Sequence, residues 1–122
     1  MKTTEGVPTI ESLKSRDDVP VIVANHKGFI VAINSAFTTV LGWREEDVIG
    51  EPLTNILPNS FRDGHNLAFS RFQSTERATV LNHPLQLKTL TKSKSEIITE
   101  HFIVAEKIGD QWFFAATLTP IF

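Results

Sequence analysis

The first half of the chain alternates short apolar runs with short helical patterns. Residues 19–25 and 29–33 are β-branched runs, and residues 26–28 form a turn between them, which predicts an antiparallel hairpin. Asn34 then offers a cap to a helix, and Gly42 is a natural place for that helix to end. The pattern therefore predicts a hairpin followed directly by a capped helix.

The clearest helical pattern covers residues 57–75, after two single helical turns over residues 44–50 and 52–57. Pro58 and Ser60 mark its start, because proline discourages helix before it and serine caps free amides. One face collects an imidazole with apolar and aromatic side chains: Phe61, His65, Ala68, Phe69 and Phe72. We expect the rest of the fold to pack beneath this helix.

The last third of the chain is rich in β-forming residues. Three segments, over residues 78–90, 96–108 and 111–121, are separated by a polar turn and by Gly109-Asp110. Both alternating sets of residues are apolar in the last segment, so a strand there needs cover on both faces. The simplest arrangement is an α+β fold with one five-stranded antiparallel sheet and the helices, including the long one, on one face.

The N-terminus offers cover for the second face. Residues 9–16 predict a short helix with Thr9 as its cap and with Ile10 and Leu13 on one side. Such a helix is too short to be stable alone, so it leans on its own sheet or on a second copy of the chain. We therefore expect a homodimer through the N-terminal helix and the outer face of the sheet.

The amino-acid composition excludes several kinds of chemistry and of binding partner for this protein. The 122 residues contain no cysteine, and the net charge is −2 from 12 basic and 14 acidic residues. Disulfides and a cysteinyl-flavin adduct are therefore excluded, and nucleic acid is not an expected partner. No apolar run approaches the roughly 20 residues that span a bilayer, so we expect a cytoplasmic domain with no membrane partner. No catalytic motif is present, which argues against an enzyme.

Two blocks of sequence carry a resemblance to a known family. GFIVAINSAF (residues 28–37) and LGWREEDVIGEPL (residues 41–53) resemble the Asn-x-Ala-Phe and Leu-Gly-aromatic blocks of PAS domains. The likeness covers about residues 17–121, so we divide the chain into a lead-in with a capping helix (1–16) and a PAS domain (17–122). It departs at residues 92–95, where Lys-Ser-Lys-Ser replaces the usual Asp-Gly.

The resemblance implies a sensory or interaction module that acts through an output domain or a partner protein, as in two-component or cyclic-nucleotide signalling. Such domains bind a small ligand between sheet and helices, or bind nothing and pair with one another. A small hydrolase-like or carrier domain of similar build is a third interpretation.

The resemblance also implies a heme hypothesis. In heme-binding oxygen sensors of this family, a histidine on the long helix ligates iron and an arginine six residues later reaches a propionate. His65 and Arg71 have that spacing. Those sensors also carry an arginine on the next strand, where this chain has Leu85. We therefore favour the alternative that His65 is a core or boundary histidine.

Other ligands stay open. A noncovalently bound flavin or an acyl chain would suit the cavity lining that we expect, which consists of apolar side chains: Ile33, Phe37, Leu57, Phe69, Phe72, Leu85, Leu87, Phe102 and Leu118. Close packing of the same side chains, with no cavity, is the alternative. His83 and His101 lie on predicted strands, but their spacing forms no metal motif.

Overall fold

The computed structural model of the protein describes residues 9–58 and 85–121. The predicted long helix from residue 59 onward, and residues 78–84 of the predicted third strand with Pro84, lie outside these ranges. The described elements follow in chain order: α1 (Ile10–Lys14), β1 (Val21–Ala24), β2 (Ile30–Ile33), α2 (Ser35–Leu41), α3 (Glu45–Val48), a 3₁₀ turn (Leu53–Ile56), β3 (Leu85–Leu90), β4 (Glu96–Ile108) and β5 (Gln111–Pro120).

The five strands form one antiparallel sheet in the order β2-β1-β5-β4-β3. The three hairpin turns of the sheet each contain a residue at positive φ, which is Gly28 (φ 85°) between β1 and β2. Gly109 (φ 64°) supplies it between β4 and β5, and Lys94 (φ 74°) supplies it between β3 and β4. The predicted α+β class with a five-stranded sheet is confirmed. Among the helices that the structure describes, none is both long and apolar enough to cross a membrane.

The helix ends lie where the sequence predicts them. The Thr9 hydroxyl accepts a hydrogen bond from the amide of Ser12, and the Asn34 side chain accepts one from the amide of Phe37. Gly42 ends α2 in the left-handed conformation (φ 86°), which glycine adopts without steric cost. Local capping chemistry therefore fixes α1 and α2.

The sheet separates two apolar clusters. We call the face that carries the first cluster the inner face and the face that carries the second the outer face. The inner face packs against α2, α3 and the 3₁₀ turn, with Phe37, Ile30 and Leu41 fully buried there. The outer face packs against α1. Ile10 and Leu13 of α1 are buried on it against residues of β1, β4 and β5: Val21, Val23, Val104 and Ala115. The short helix thus leans on the sheet of its own chain.

A long-range contact holds α1 at its first turn. The backbone amide of Ile10 donates to the Glu106 carboxylate on the outer face of β4, at 3.0 Å. This amide is one of those that a helix start leaves without an intrahelical acceptor, and a carboxylate also suits the positive end of a helix. Apolar burial and one charged hydrogen bond therefore dock α1 together.

Candidate functional site

Strand register decides which side chains face the helices on the inner side. In β4, Ile97 and Ile103 pack against the inner cluster, so Thr99 and His101, which alternate with them, face the same way. In β3, Leu87 is paired with Thr99 and Thr89 with Ile97, which puts both on the inner face. Two adjacent strands therefore bring polar residues onto an apolar surface.

Three of these residues form a polar cluster, which we define as Thr89, Thr99 and His101. The two hydroxyl oxygens are 2.7 Å apart, and His101 Nε2 lies 2.8 Å from the Thr99 hydroxyl and 3.2 Å from the Thr89 hydroxyl. Both threonines are 0% exposed and His101 is 6% exposed. Burial of polar groups is costly unless they are hydrogen-bonded, so these contacts hold the cluster in place.

The hydrogen-bond directions follow from one further contact. The Thr99 hydroxyl donates to the carbonyl of Leu87 at 3.2 Å, which leaves its oxygen as an acceptor. The Thr89 hydroxyl and a protonated His101 Nε2 can then both donate toward that oxygen. Both donors of the polar cluster are thus directed at the Thr99 oxygen, and an acceptor oxygen of a ligand beside it, such as that of a carboxylate or carbonyl, would share them.

Most predicted lining residues that are described lie on the inner side. Phe37, Leu57 and Leu118 are buried in the inner cluster, and Ile33 packs against it. Leu87 faces the same side by register, because it is paired with Thr99, and the backbone of Leu85 is paired with that of His101. These apolar positions therefore share one side of the sheet, and their role as the lining of a ligand cavity stays a prediction.

The prediction for Phe102 is wrong. We expected it to line the cavity, but it packs against the outer cluster beneath α1. Phe102 is paired with Thr117, whereas Leu118 is paired with His101, so the side chains of Phe102 and Leu118 leave the sheet on opposite faces. Both residue types suit a cavity wall, and only the register separates them.

The heme hypothesis depends on His65 and Arg71, which lie outside the described ranges, as do the predicted lining residues Phe69 and Phe72. It therefore stays a prediction. His101 does not fit as a substitute iron ligand, because its Nε2 is engaged by two buried threonine hydroxyls. Within residues 9–58 and 85–121, no three histidine or acidic side chains are grouped as a metal site would need, and His83 lies outside them.

A set of contacts joins the β3–β4 turn to the junction of α2 and α3, and we call it the clasp. Trp43 Nε1–H donates to the carbonyl of Leu90 at 2.9 Å, and the amide of Lys92 donates to the carbonyl of Leu41 at 3.0 Å. Lys92 Nζ lies 2.9 Å from the Asp47 carboxylate and 5.5 Å from the centre of the Trp43 ring. The clasp thus holds the β3–β4 turn against the helices that pack on the inner face.

Asp47, which pairs with Lys92 in the clasp, has a lowered pKa. The pKa of Asp47 is held below its ordinary value of 3.8, first by the hydrogen bond from the Arg44 amide and then by Lys92. Folding lowers this pKa, so ionised Asp47 stabilises the fold above about pH 4, and that stabilisation is lost as the pH falls through the folded-state pKa.

This acidity gives a prediction for Lys92→Ala. The pKa of Asp47 rises toward 3.8 but stays below it, because the Arg44 amide still donates to the carboxylate. An NMR titration of the side-chain carboxyl carbons measures the change. Asp18, whose pKa is lowered by Arg16, is the internal control and keeps its value. An unchanged Asp47 pKa would show that Lys92 does not pair with it in solution.

The sequence did not reveal the most connected polar side chain of the described residues. The Asn34 oxygen accepts from the amides of Val21 and Phe37, and its nitrogen donates to the carbonyls of Arg16 and Val19. Its capping role was predicted, but the bonds to the α1–β1 connection were not. Asn34 therefore links the segment that carries α1 to the start of α2.

Comparison with known proteins agrees with this geometry. The family model described as the PAS fold matches residues 13–98, which is more than half of the chain. An uncharacterised protein of Azorhizobium caulinodans is 29% identical over 97% of the chain, but the chain spans only 17% of that protein's length.

Two solved structures show the same fold. A PAS domain from Desulfitobacterium hafniense has a TM-score of 0.70 at 15% identity, covering 91% of this chain and 99% of that one. The PAS domain of the quorum-sensing receptor RpfR from Cronobacter turicensis, in complex with C12:0, has a TM-score of 0.67 at 14% identity, covering 88% and 98%. The chain belongs to the PAS domain family, whose members are sensory and signalling modules rather than enzymes.

Proposed function

We propose that this PAS domain senses a small organic ligand held against the inner face of its sheet, with an oxygen of the ligand at the polar cluster. One observation carries the proposal: Thr89, Thr99 and His101 are buried together on a face that is otherwise apolar. Core positions of a sheet do not need such a cluster for packing, and polar groups placed in an apolar pocket are what orients a ligand.

The same surface indicates a ligand class. Apolar side chains of four strands (β1, β2, β4 and β5) and of α2 offer an extended hydrophobic surface, while the donors of the polar cluster are directed at one place. This combination suits an amphipathic molecule with an apolar body and one acceptor group, such as a medium-chain carboxylic acid. The C12:0 complex of the Cronobacter domain supports this class, because that domain shares the fold. A heme held by His65 and Arg71, or a flavin bound without a covalent adduct, are the competing cofactors.

The signal would pass through the sheet. The polar cluster lies on the inner face of β3 and β4, and α1 is docked on the outer face of β4 and β5. A ligand that binds one arrangement of the sheet better than another shifts the balance between them. We propose that α1 and the outer face relay this shift in a homodimer or to an output domain of a longer cytoplasmic protein.

A ligand-free interaction module is the second candidate. The observation that favours it is that the three groups of the polar cluster already lie within hydrogen-bonding distance of one another. In that case the cluster would fix the β3–β4 pairing, and the domain would act only by binding a protein partner.

Binding of dodecanoic acid tests the proposal. We expect Thr99→Val to weaken binding about tenfold, because the two donors of the cluster lose the oxygen that positions them. Thr117→Val is the matched control: Thr117 is also buried in the sheet but lies on the outer face, paired with Phe102. Isothermal titration calorimetry on the delipidated protein gives the affinities.

Two outcomes would contradict ligand sensing at the cluster. Equal affinities of the Thr99→Val and Thr117→Val variants for dodecanoic acid would show that the ligand does not bind at the polar cluster. A wild-type protein that binds no dodecanoic acid, and that yields no organic molecule to solvent extraction and mass spectrometry, would favour the ligand-free module. A Soret band in the purified protein, lost in His65→Ala, would instead establish heme.

A further inference from the structure

The clasp occupies a place where the inner face meets solvent. Thr89 of the polar cluster is two residues from Thr91, where the β3–β4 turn begins, which is roughly 7 Å along a strand. Between these points, the Leu90 carbonyl accepts the hydrogen bond from the Trp43 indole. The buried polar cluster and the clasp are therefore neighbours on the same strand.

The surface outside the clasp is already concave. An open groove of about 470 Å³ lies between the end of α2 and the β3–β4 turn, lined by Val40, Leu41, Gly42, Thr91, Lys92 and Ser93 among others. Leu41 belongs to the inner cluster and is fully buried. The groove thus lies against the end of α2 beside a buried residue of the inner core, and two of its lining residues, Leu41 and Lys92, belong to the clasp.

The turn that forms one side of the groove is held in an unfavourable backbone conformation. Lys94 has φ 74°, a conformation that glycine adopts readily and lysine does not. Its ammonium group lies 5.7 Å from the centre of the Trp43 ring, so it takes part in the contact with the helices. The turn itself imposes this conformation, and the hydrogen bond from the Lys94 amide to the Thr91 carbonyl holds it there.

We propose that the seam between the β3–β4 turn and the junction of α2 and α3 is the access route of the ligand, and that the clasp is the gate that closes it. The inference rests on the proposed function, since it assigns a path to the ligand of the polar cluster. Opening requires loss of the Trp43–Leu90 and Lys92–Leu41 hydrogen bonds and of the Lys92–Asp47 ion pair. The strands themselves stay paired, because the turn moves about the end of the β3–β4 hairpin.

Lys92→Ala weakens the gate without touching the polar cluster. It removes an ion pair and a cation–π contact but leaves the backbone hydrogen bond of residue 92. Exchange of the Trp43 indole proton with solvent, followed by NMR, is expected to become about five to ten times faster. Amides of the central strand β5 keep their wild-type rates.

Stopped-flow mixing with dodecanoic acid then reports passage through the seam. In Lys92→Ala the association and dissociation rates rise by the same factor as the indole exchange, so the dissociation constant is unchanged. Lys88→Ala is the matched control, because Lys88 lies on the same hairpin and pairs with Glu96 instead of Asp47. It removes the same charge and leaves both rates at their wild-type values.

The outcomes separate the gate from the sensing site. Faster indole exchange with unchanged ligand rates would overturn the access route while leaving the proposed function intact. Faster exchange of β5 amides as well would show global destabilisation and would also overturn it. A wild-type protein that binds no dodecanoic acid and yields no organic molecule to solvent extraction contradicts the proposed function and removes the access route with it.

Discussion

Asn34→Ala is expected to lower the free energy of unfolding by about 2–4 kcal/mol, because one truncation removes four hydrogen bonds. Two of them are accepted from the amides of Val21 and Phe37, which the truncation leaves without this partner. The Phe37 amide is at the start of α2, so the loss of a helix cap is part of the cost. Urea denaturation measured at constant pH gives the difference.

Two variants make this result specific. Asn55→Ala is the matched control, since the Asn55 amide makes a single long bond of 3.4 Å to Glu51 on the surface, and we expect a change of less than about 0.5 kcal/mol. Asn34→Asp keeps the acceptor but places a carboxylate oxygen against the carbonyls of Arg16 and Val19, so it is also destabilising. Equal stabilities of Asn34→Ala and Asn55→Ala would contradict the role of Asn34 as a link between elements.

Leu13→Ala is expected to cost about 2–4 kcal/mol and to free α1 from the sheet. Leu13 is 2% exposed and packs on the outer cluster, and a helix of five residues has no stability of its own. Loss of α1 uncovers the apolar side chains of Val21, Val23, Val104 and Ala115. Thermal denaturation measures the stability, and binding of a hydrophobic dye measures the exposed surface.

The neighbouring residue provides the comparison for Leu13→Ala. Lys14 is exposed on the same helix, so Lys14→Ala should change the free energy of unfolding by no more than about 0.5 kcal/mol and should bind no dye. Sedimentation of both variants shows whether the uncovered face pairs two copies. If Leu13→Ala behaves like Lys14→Ala, α1 is not docked on the sheet in solution.

The docking of α1 bears on how the domain would signal. The outer face of β4 carries Glu106, which holds the first amide of α1, and the inner face of the same strand carries Thr99 and His101. A change in the twist of β4 would therefore reach both the ligand and the helix. Asn34 offers a second connection, since it joins the chain after α1 to the helix that packs on the inner face.

The residues of the candidate site differ in how far their positions follow from the sequence. Alternation within β5 correctly predicted that both of its faces are covered. Phe37, Leu57 and Leu118 lie in the inner cluster, and their role as the lining of a ligand cavity stays a prediction. The same reasoning misplaced Phe102, because alternation tells which residues share a face but not which face that is. The sequence pattern places His101 on a strand, but it gives no signal that Thr89 and Thr99 would join it in a polar cluster.

The features that follow directly from the amino-acid sequence are local: the caps of α1 and α2, the turn at Gly109, the two-sided apolar pattern of β5 and the absence of thiol chemistry. These depend on contacts within a few residues, which side-chain type and spacing fix. The tertiary structure alone decided the polar cluster, the clasp and the four bonds of Asn34, because each joins residues from separate elements. Strand register and helix docking place those residues together, and both result from packing of the whole chain.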